Sequence, residues 1–568
     1  MMKATLTFVF ALLLVSLSIA ETYVGVHDLS YGTDVFIGVP FSYKPIRLWP
    51  LFAEEMGDFG DILATNATSN RCNEFGSGAS STPGYEDCTY LDIIRPSNPK
   101  GAIDKPVIVI ANASGSVPEK LLPVYVFFHG GNFNTGDKSE VDGRNLVKAS
   151  IAHGSPIIYV AVNYRLGILG FPGGQEADTY GALNVGLLDS RLALIWLQKM
   201  VPYFGGDPKK VVIGGQGSGA DLATYLLLAH EVEIGGPFGS ARKEGVSDGL
   251  FRGAILHSGS ATSSSPIPRS NYTVWQNQLD TIVSTTGCNK STKPESWQCL
   301  QECPIDLLVN ASNKVIADSK FINPASVFGP VIDDFLLTDY PSILMKQGKF
   351  AKVPVLMGTT TTELVNSVPV YNGFGTDASI IAFLKSNFPY VSDGTLKTLL
   401  SYYPVSKYKN IGPPLSGAQW SRVVAILNHL QIFCPANTQA LQMSEVTNVF
   451  KYRFNAVLQS TPVRPWEGVP QGSDLHYLFP ISGTNMTKQS LADLVLMTKF
   501  QHSILNFINN LDPSIADAAG TGKWERFTAA TQSSVVFERG KSLTTVERFA
   551  VDQAVCAFIE SKNLEFMR

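Results

Sequence analysis

Charge is scarce in this 568-residue chain. Asp, Glu, Lys and Arg make up 16% of it, and 44 basic residues stand against 48 acidic ones, a formal net charge of −4. That balance leaves no electrostatic case for a nucleic-acid partner, which needs a basic face. The chain also lacks internal repeats, heptad runs, low-complexity tracts and any spacing of residues suited to holding a metal, so no metal and no cofactor is expected. Beyond the first twenty residues no stretch is long and apolar enough to span a bilayer. The last residues, SKNLEFMR, carry no lipid-anchor tail. What remains is an ordinary globular composition, 45% hydrophobic, with ample length for a large core.

The amino terminus reads as a secretory leader over residues 1–20. Lys3 supplies the charge, Leu6–Leu17 the apolar run, and Ser18, Ile19 and Ala20 a small-residue cleavage site. The competing reading, an anchor that stays in the membrane, needs a longer run. Residues 21–568 are therefore expected outside the cell with no stable membrane anchor. Seven cysteines fit an oxidising compartment, although sequence alone does not fix their pairing. Sequons at Asn66, Asn112, Asn271, Asn289, Asn310 and Asn485 predict glycosylated surface loops.

The chain is organised around residues 204–220, FGGDPKKVVIGGQGSGA. The apolar run Lys210–Ile213 enters a glycine-dense turn, and helical spacing follows over Ala220–His230. This is the context of a nucleophile elbow, a strained strand-to-helix turn that presents one side chain at its tip. Further apolar runs at 124–128, 156–165, 253–257, 353–358 and 449–455 read as strands, and 184–201 as a helix. Strands alternating with helical patterns predict an α/β fold with a mostly parallel sheet flanked by helices. The stretch 265–350 is lower in regular pattern and reads as loop-rich, with capping helices.

FGGDPxKVxIxG, together with EDCTYLD (86–92), HGGNF (129–133) and NYRLGILGF (163–171), resembles the type-B carboxylesterase/lipase family, which includes the cholinesterases. The resemblance covers nearly all of 21–568 and implies one α/β-hydrolase domain with insertions. It suggests the disulfides Cys72–Cys88, Cys288–Cys299 and Cys434–Cys556, with Cys303 left over to swap with Cys299, stay free or bridge to another chain. Asp189 and Arg191 resemble a family ion pair with a structural role. His257 falls near the site in the family's layout and reads as a packed strand-end histidine. Between Cys72 and Cys88, where lipases of the family carry an amphipathic lid, the chain is Gly- and Ser-rich without an apolar face, which disfavours an interfacial lipase.

The family's tip reads G-E-S-A-G, and here the aligned residues are Gly215-Gln216-Gly217-Ser218-Gly219. The nucleophile position is therefore Gly217. The family's triad acid falls on Glu363, and its catalytic histidine on Gln471. The oxyanion donors fall on Gly130, Gly131, Asn132 and the N–H of Ser218, with Asn132 in place of a third glycine and the pocket as a place for its side chain. Glycine has nothing to attack with, and an amide does not titrate near pH 7 and cannot act as a general base. The expectation is a secreted binding protein without turnover, for a small apolar or ester-like ligand or a protein partner. Neuroligin-type adhesion proteins set the precedent in this family. The alternatives are a carboxylic ester hydrolase built on displaced residues, Ser218 and His476 with Glu363, and a structural wall or matrix component.

Overall fold

The computed structural model describes residues 21–568 except 52–58, 60, 65–69, 77, 98–105, 112–115, 230–231, 235–241, 245–248, 264–272, 320–326, 371–372, 409–411, 415, 462, 481–488, 516–521, 542–545 and 549–552. The leader 1–20 and the sequons at Asn66, Asn112, Asn271 and Asn485 lie outside the described residues. Asn289 and Asn310 are exposed.

Runs of Val, Ile and aromatic residues that are apolar at every position must be covered on both faces, which suits central parallel strands. Seven strands, several of them of this kind, form the middle of a 13-stranded sheet in the order Ser533–Phe537, Val449–Phe454, Val355–Thr360, Gly253–His257, Gly206–Gln216, Leu122–Phe128 and Ile158–Val162, each parallel to its neighbour. Beyond Ile158–Val162 the sheet continues as an antiparallel wing through Tyr90–Pro96, Thr33–Pro40 and Glu21–Asp28. The short strand Asp61–Leu63 then joins parallel, and Val107–Ala111 also pairs with Glu21–Asp28. Helices pack on both faces, and the apolar core divides accordingly, with Val126 and Ile213 on one side and Tyr125 and Val212 on the other. The result is the α/β-hydrolase fold.

Register places the site. Phe128 lies opposite Gly215, and His257 opposite both Gln216 and Gly358. The turns that leave these strand ends, at 129–136, 217, 258–263 and 359–364, therefore emerge along one edge of the sheet. That carboxyl edge is where open α/β sheets bind ligands.

The helices expected within 265–350 are Thr273–Thr285, Lys293–Glu302 and Ile305–Asp318, and the described residues there are less loop-rich than the pattern suggests. The middle one opens on a capping box, Thr292 with Glu295, which holds a helix of low apolar content. Asp189 pairs with Arg165, not Arg191: Nε and Nη2 of Arg165 meet the two carboxylate oxygens at 2.8 and 2.6 Å. The disulfides are Cys72–Cys88, Cys288–Cys299 and Cys434–Cys556, and Cys303 is free. Its sulfur lies 3.7 Å from Nη1 of Arg47.

Candidate active site

The strand Gly206–Gln216 ends at Gly217, whose backbone (φ 55°, ψ −123°) starts the helix Ser218–Leu228. Positive φ at this ψ strains any residue with a β-carbon, and glycine adopts it freely. The bend is pinned from both sides. The N–H of Gly217 donates to the His257 carbonyl at 2.9 Å, and the Gly217 carbonyl accepts from Ala220 and Asp221 at 2.9 and 3.0 Å. The flanking glycines are there for packing. A β-carbon on Gly215 would stand 2.5 Å from Gly219, and one on Gly219 would stand 2.1 Å from the Phe128 carbonyl.

Gly217 differs from them. A β-carbon there would meet a single atom within 4 Å, the Gln471 side-chain nitrogen at 4.0 Å. Position 217 thus has room for a side chain, and that side chain would point at residue 471. Both residues are half-buried. Gln471 is held in turn by Glu363 and Ser258: its backbone N–H donates to the Glu363 carbonyl at 3.2 Å, and its amide nitrogen donates to the Ser258 carbonyl at 3.2 Å. Positions 217, 471 and 363 therefore come together at the sheet edge.

Glu363 is buried. One carboxyl oxygen accepts from the Ser258 hydroxyl at 2.8 Å and from the Thr360 N–H at 2.6 Å, and the other has no partner among the described residues. Burial pushes its pKa up to about 8, with Asp474 adding to the rise and the Thr360 and Ser258 hydrogen bonds opposing it. The group is thus protonated at neutral pH. Between its ordinary range and about pH 8 the folded state holds a proton that the unfolded chain releases, so stability falls as pH rises through that window. A Glu363→Gln variant keeps the shape and does not titrate. It is expected to match the natural chain near pH 5 and to exceed it at pH 8 by a few kcal/mol, since each pKa unit is worth about 1.4 kcal/mol. Urea midpoints at the two pH values check this; an equal difference at both would contradict the assignment.

The glycine turn after Phe128 keeps its shape. A β-carbon on Gly130 would lie 2.8 Å from the Gln216 carbonyl, and one on Gly131 2.0 Å from the Thr135 carbonyl. Asn132 and Phe133 both take positive φ, 55° and 60°. Asn132 is exposed, so its side chain fills no enclosed pocket, and its carbonyl accepts from Asn134 at 2.7 Å. Among the described residues the N–H groups of Gly130, Gly131 and Ser218 have no protein acceptor.

The displaced residues are not brought together. The Ser218 hydroxyl is buried and accepts from the Phe133 N–H at 3.4 Å, while the Tyr164 hydroxyl donates to the His129 carbonyl. His476 lies on the short helix Leu475–Leu478, and its Nδ1 is buried without a partner among the described residues. Burial lowers its pKa, with Asp474 opposing. No described hydrogen bond joins Ser218 to His476. His257 is fully buried between Asp474, Tyr452 and Tyr125, with Nδ1 2.6 Å from the Tyr452 hydroxyl and 3.1 Å from the Asp474 carboxylate. Burial pushes Asp474 up, but hydrogen bonds from His257 and Tyr452 outweigh it and hold the carboxyl below its usual range. Asp474 is the residue that sequence reasoning passed over.

A parallel sheet whose central strand ends in this strained bend, beside a glycine turn with free N–H groups, defines an α/β-hydrolase built on a nucleophile-elbow frame. The model of the carboxylesterase family matches residues 22–558, and the chain belongs to that family. It is 28% identical over 545 residues to "Secreted lipase 1" of Botryotinia fuckeliana, covering 88% of this chain and 85% of that protein. It is also 28% identical over 540 residues to mouse (Mus musculus) "Cholinesterase", covering 89% and 80%. The crystal structure of Aspergillus niger EstA superposes with a TM-score of 0.76 at 25% identity, covering 96% of this chain and 97% of that one. Among the described residues no helix is long and apolar enough to cross a membrane, and no cluster of side chains is suited to a metal.

Proposed function

We propose that this chain is an extracellular, non-hydrolytic member of the carboxylesterase family, a single hydrolase-fold domain over 21–568. It binds an ester-like or small apolar ligand at the elbow, or uses the same face for a protein partner. One observation carries the reading. The backbone at 217 is bent as a nucleophile's would be, its side-chain direction is open toward 471, and the residue there is glycine. Ester hydrolysis on this frame needs an attacking hydroxyl at that apex and a proton acceptor facing it. Gln471 offers an amide, and Glu363, held neutral by burial, is no base at physiological pH. Ser218 starts one position too late, and its hydroxyl is buried, accepting from the Phe133 N–H. The N–H groups of Gly130, Gly131 and Ser218 remain able to receive a ligand carbonyl oxygen. Two relatives named as secreted lipases support export of the chain.

The test is hydrolysis of p-nitrophenyl acetate and butyrate by the purified protein. The expected rate stays within the roughly 10³–10⁴-fold over water that a hydrolase retains when it loses its triad. Robust turnover that disappears in a Ser218→Ala variant would falsify the proposal.

A further inference from the structure

Away from the elbow, a groove of about 370 Å³ lies among the helices Thr273–Thr285 and Lys293–Glu302 and the turn that joins them. The disulfide Cys288–Cys299 ties that turn to the second helix. None of the lining residues belongs to the bend, the 129–133 turn or the Glu363–Gln471 pair. The size falls within the ordinary range for small-molecule sites.

The turn carries the sequon Asn289-Lys290-Ser291, and all three residues line the groove. Asn289 is exposed, and its side chain has no partner among the described residues. The backbone around it is held. The Lys290 N–H donates to the Ser296 hydroxyl at 3.1 Å, and Thr292 opens the next helix through its capping box. The acceptor residue therefore stands at a fixed place on the groove wall.

The rest of the lining decides what fits there. Leu279 and Leu300 are buried and Val283 half-buried, which gives an apolar floor. Lys290 and Ser291 are exposed, with no side-chain partner among the described residues, which gives a rim able to bond hydroxyls. Glu176 and Asp280 are engaged by Lys293 at 2.5 and 3.2 Å, so an untethered cation would have to displace that lysine. An untethered anion would find only the solvated Lys290, where an exposed ion pair is worth little. A sugar attached to Asn289 needs neither charge. Its short tether holds it at an effective concentration of the order of millimolar. Its ring turns a C–H face to the floor and hydroxyls to the rim.

We propose that Asn289 carries an N-linked glycan whose first sugars lie in this groove instead of projecting into water. The inference rests on the export proposed above. In the attachment the Asn289 amide nitrogen bonds the anomeric carbon of an oligosaccharide. The bond from that carbon to its lipid diphosphate carrier breaks, and the diphosphate leaves with the electron pair as the amide gives up a proton. Asn310, exposed on the helix Ile305–Asp318, lies outside the lining and serves as the internal control.

The experiment takes the full chain from a secreting eukaryotic host and treats the native protein with peptide N-glycosidase. Peptide mass mapping follows each sequon, because release turns the asparagine into aspartate. Sugar at Asn289 is expected to leave about tenfold more slowly than at Asn310, the protection that about 1.4 kcal/mol of seating gives. Ser284→Trp, at an exposed lining position outside the sequon, is expected to fill the groove and raise the rate at Asn289 by the same factor. The proposal is overturned if Asn289 stays bare while other sequons carry sugar, or if its sugar leaves as fast as that at Asn310. It is equally overturned if Ser284→Trp leaves the rate at Asn289 unchanged. Sugar at none of the six sequons would instead fault the export reading, and the proposal would fall with it.

Discussion

A Gly217→Ser, Gln471→His double variant is expected to hydrolyse p-nitrophenyl butyrate at least about a thousandfold faster than the natural chain, with neither single variant reaching a tenth of that gain. The geometry for it is in place. A β-carbon at 217 projects into open space with only the residue-471 nitrogen within 4 Å, so a serine hydroxyl there would lie within reach of an imidazole at 471. Glu363 sits beside 471, and its second oxygen, buried without a partner among the described residues, is placed to accept from that imidazole once the carboxyl ionises near pH 8. Triad members act as a unit, which is why each single change should do little. The backbone strain that a serine meets at φ 55° is the strain this turn imposes on any nucleophile. Progress curves at pH 8 read the result. A double variant that folds and stays inactive would place the defect in the oxyanion turn, where Asn132 replaces a glycine.

The largest expected loss of stability lies elsewhere, at Asp189. Its carboxylate holds both Nε and Nη2 of Arg165 and accepts the Arg165 backbone N–H at 3.1 Å, with the Asp189 side chain fully buried and that of Arg165 nearly so. The remaining Arg165 nitrogen donates to the Trp49 carbonyl at 2.7 Å, which ties the segment before the first disulfide to the sheet. Asp189→Ala strands a guanidinium in the core, and breaking a buried pair in this way costs about 3–5 kcal/mol. Arg191, half-buried two residues further along the same helix, is expected to cost far less when replaced by alanine. Urea midpoints for the two variants decide which arginine is the partner; equal losses would contradict the assignment to Arg165.

Why the elbow was legible and the ion pair was not comes down to range. Gly215 and Gly219 are glycines because backbone atoms within a few residues, or on the neighbouring strand, leave no space, so their spacing survives in any readable form of this turn. The strands Leu122–Phe128, Ile158–Val162 and Gly253–His257 declare themselves because each is apolar at nearly every position. Asp189 carries no such local mark. Its partner lies 24 residues away, and only the topology brings the two together. The helix Lys293–Glu302 was hidden for a different reason. It has little apolar periodicity, and its signal is the Thr292–Glu295 box, which reads as a helix start only when sought. The His257–Asp474–Tyr452 network follows from strand register and burial, neither of which one sequence displays.

The central claim is that no hydroxyl stands at the apex of the elbow. Incubating the native protein with diisopropyl fluorophosphate and weighing it intact tests this most directly, because the reagent phosphorylates an activated serine whatever the substrate. The mass is expected to stay unchanged under conditions that fully label an active family member. A single adduct, mapped by peptide sequencing to Ser218, would contradict it.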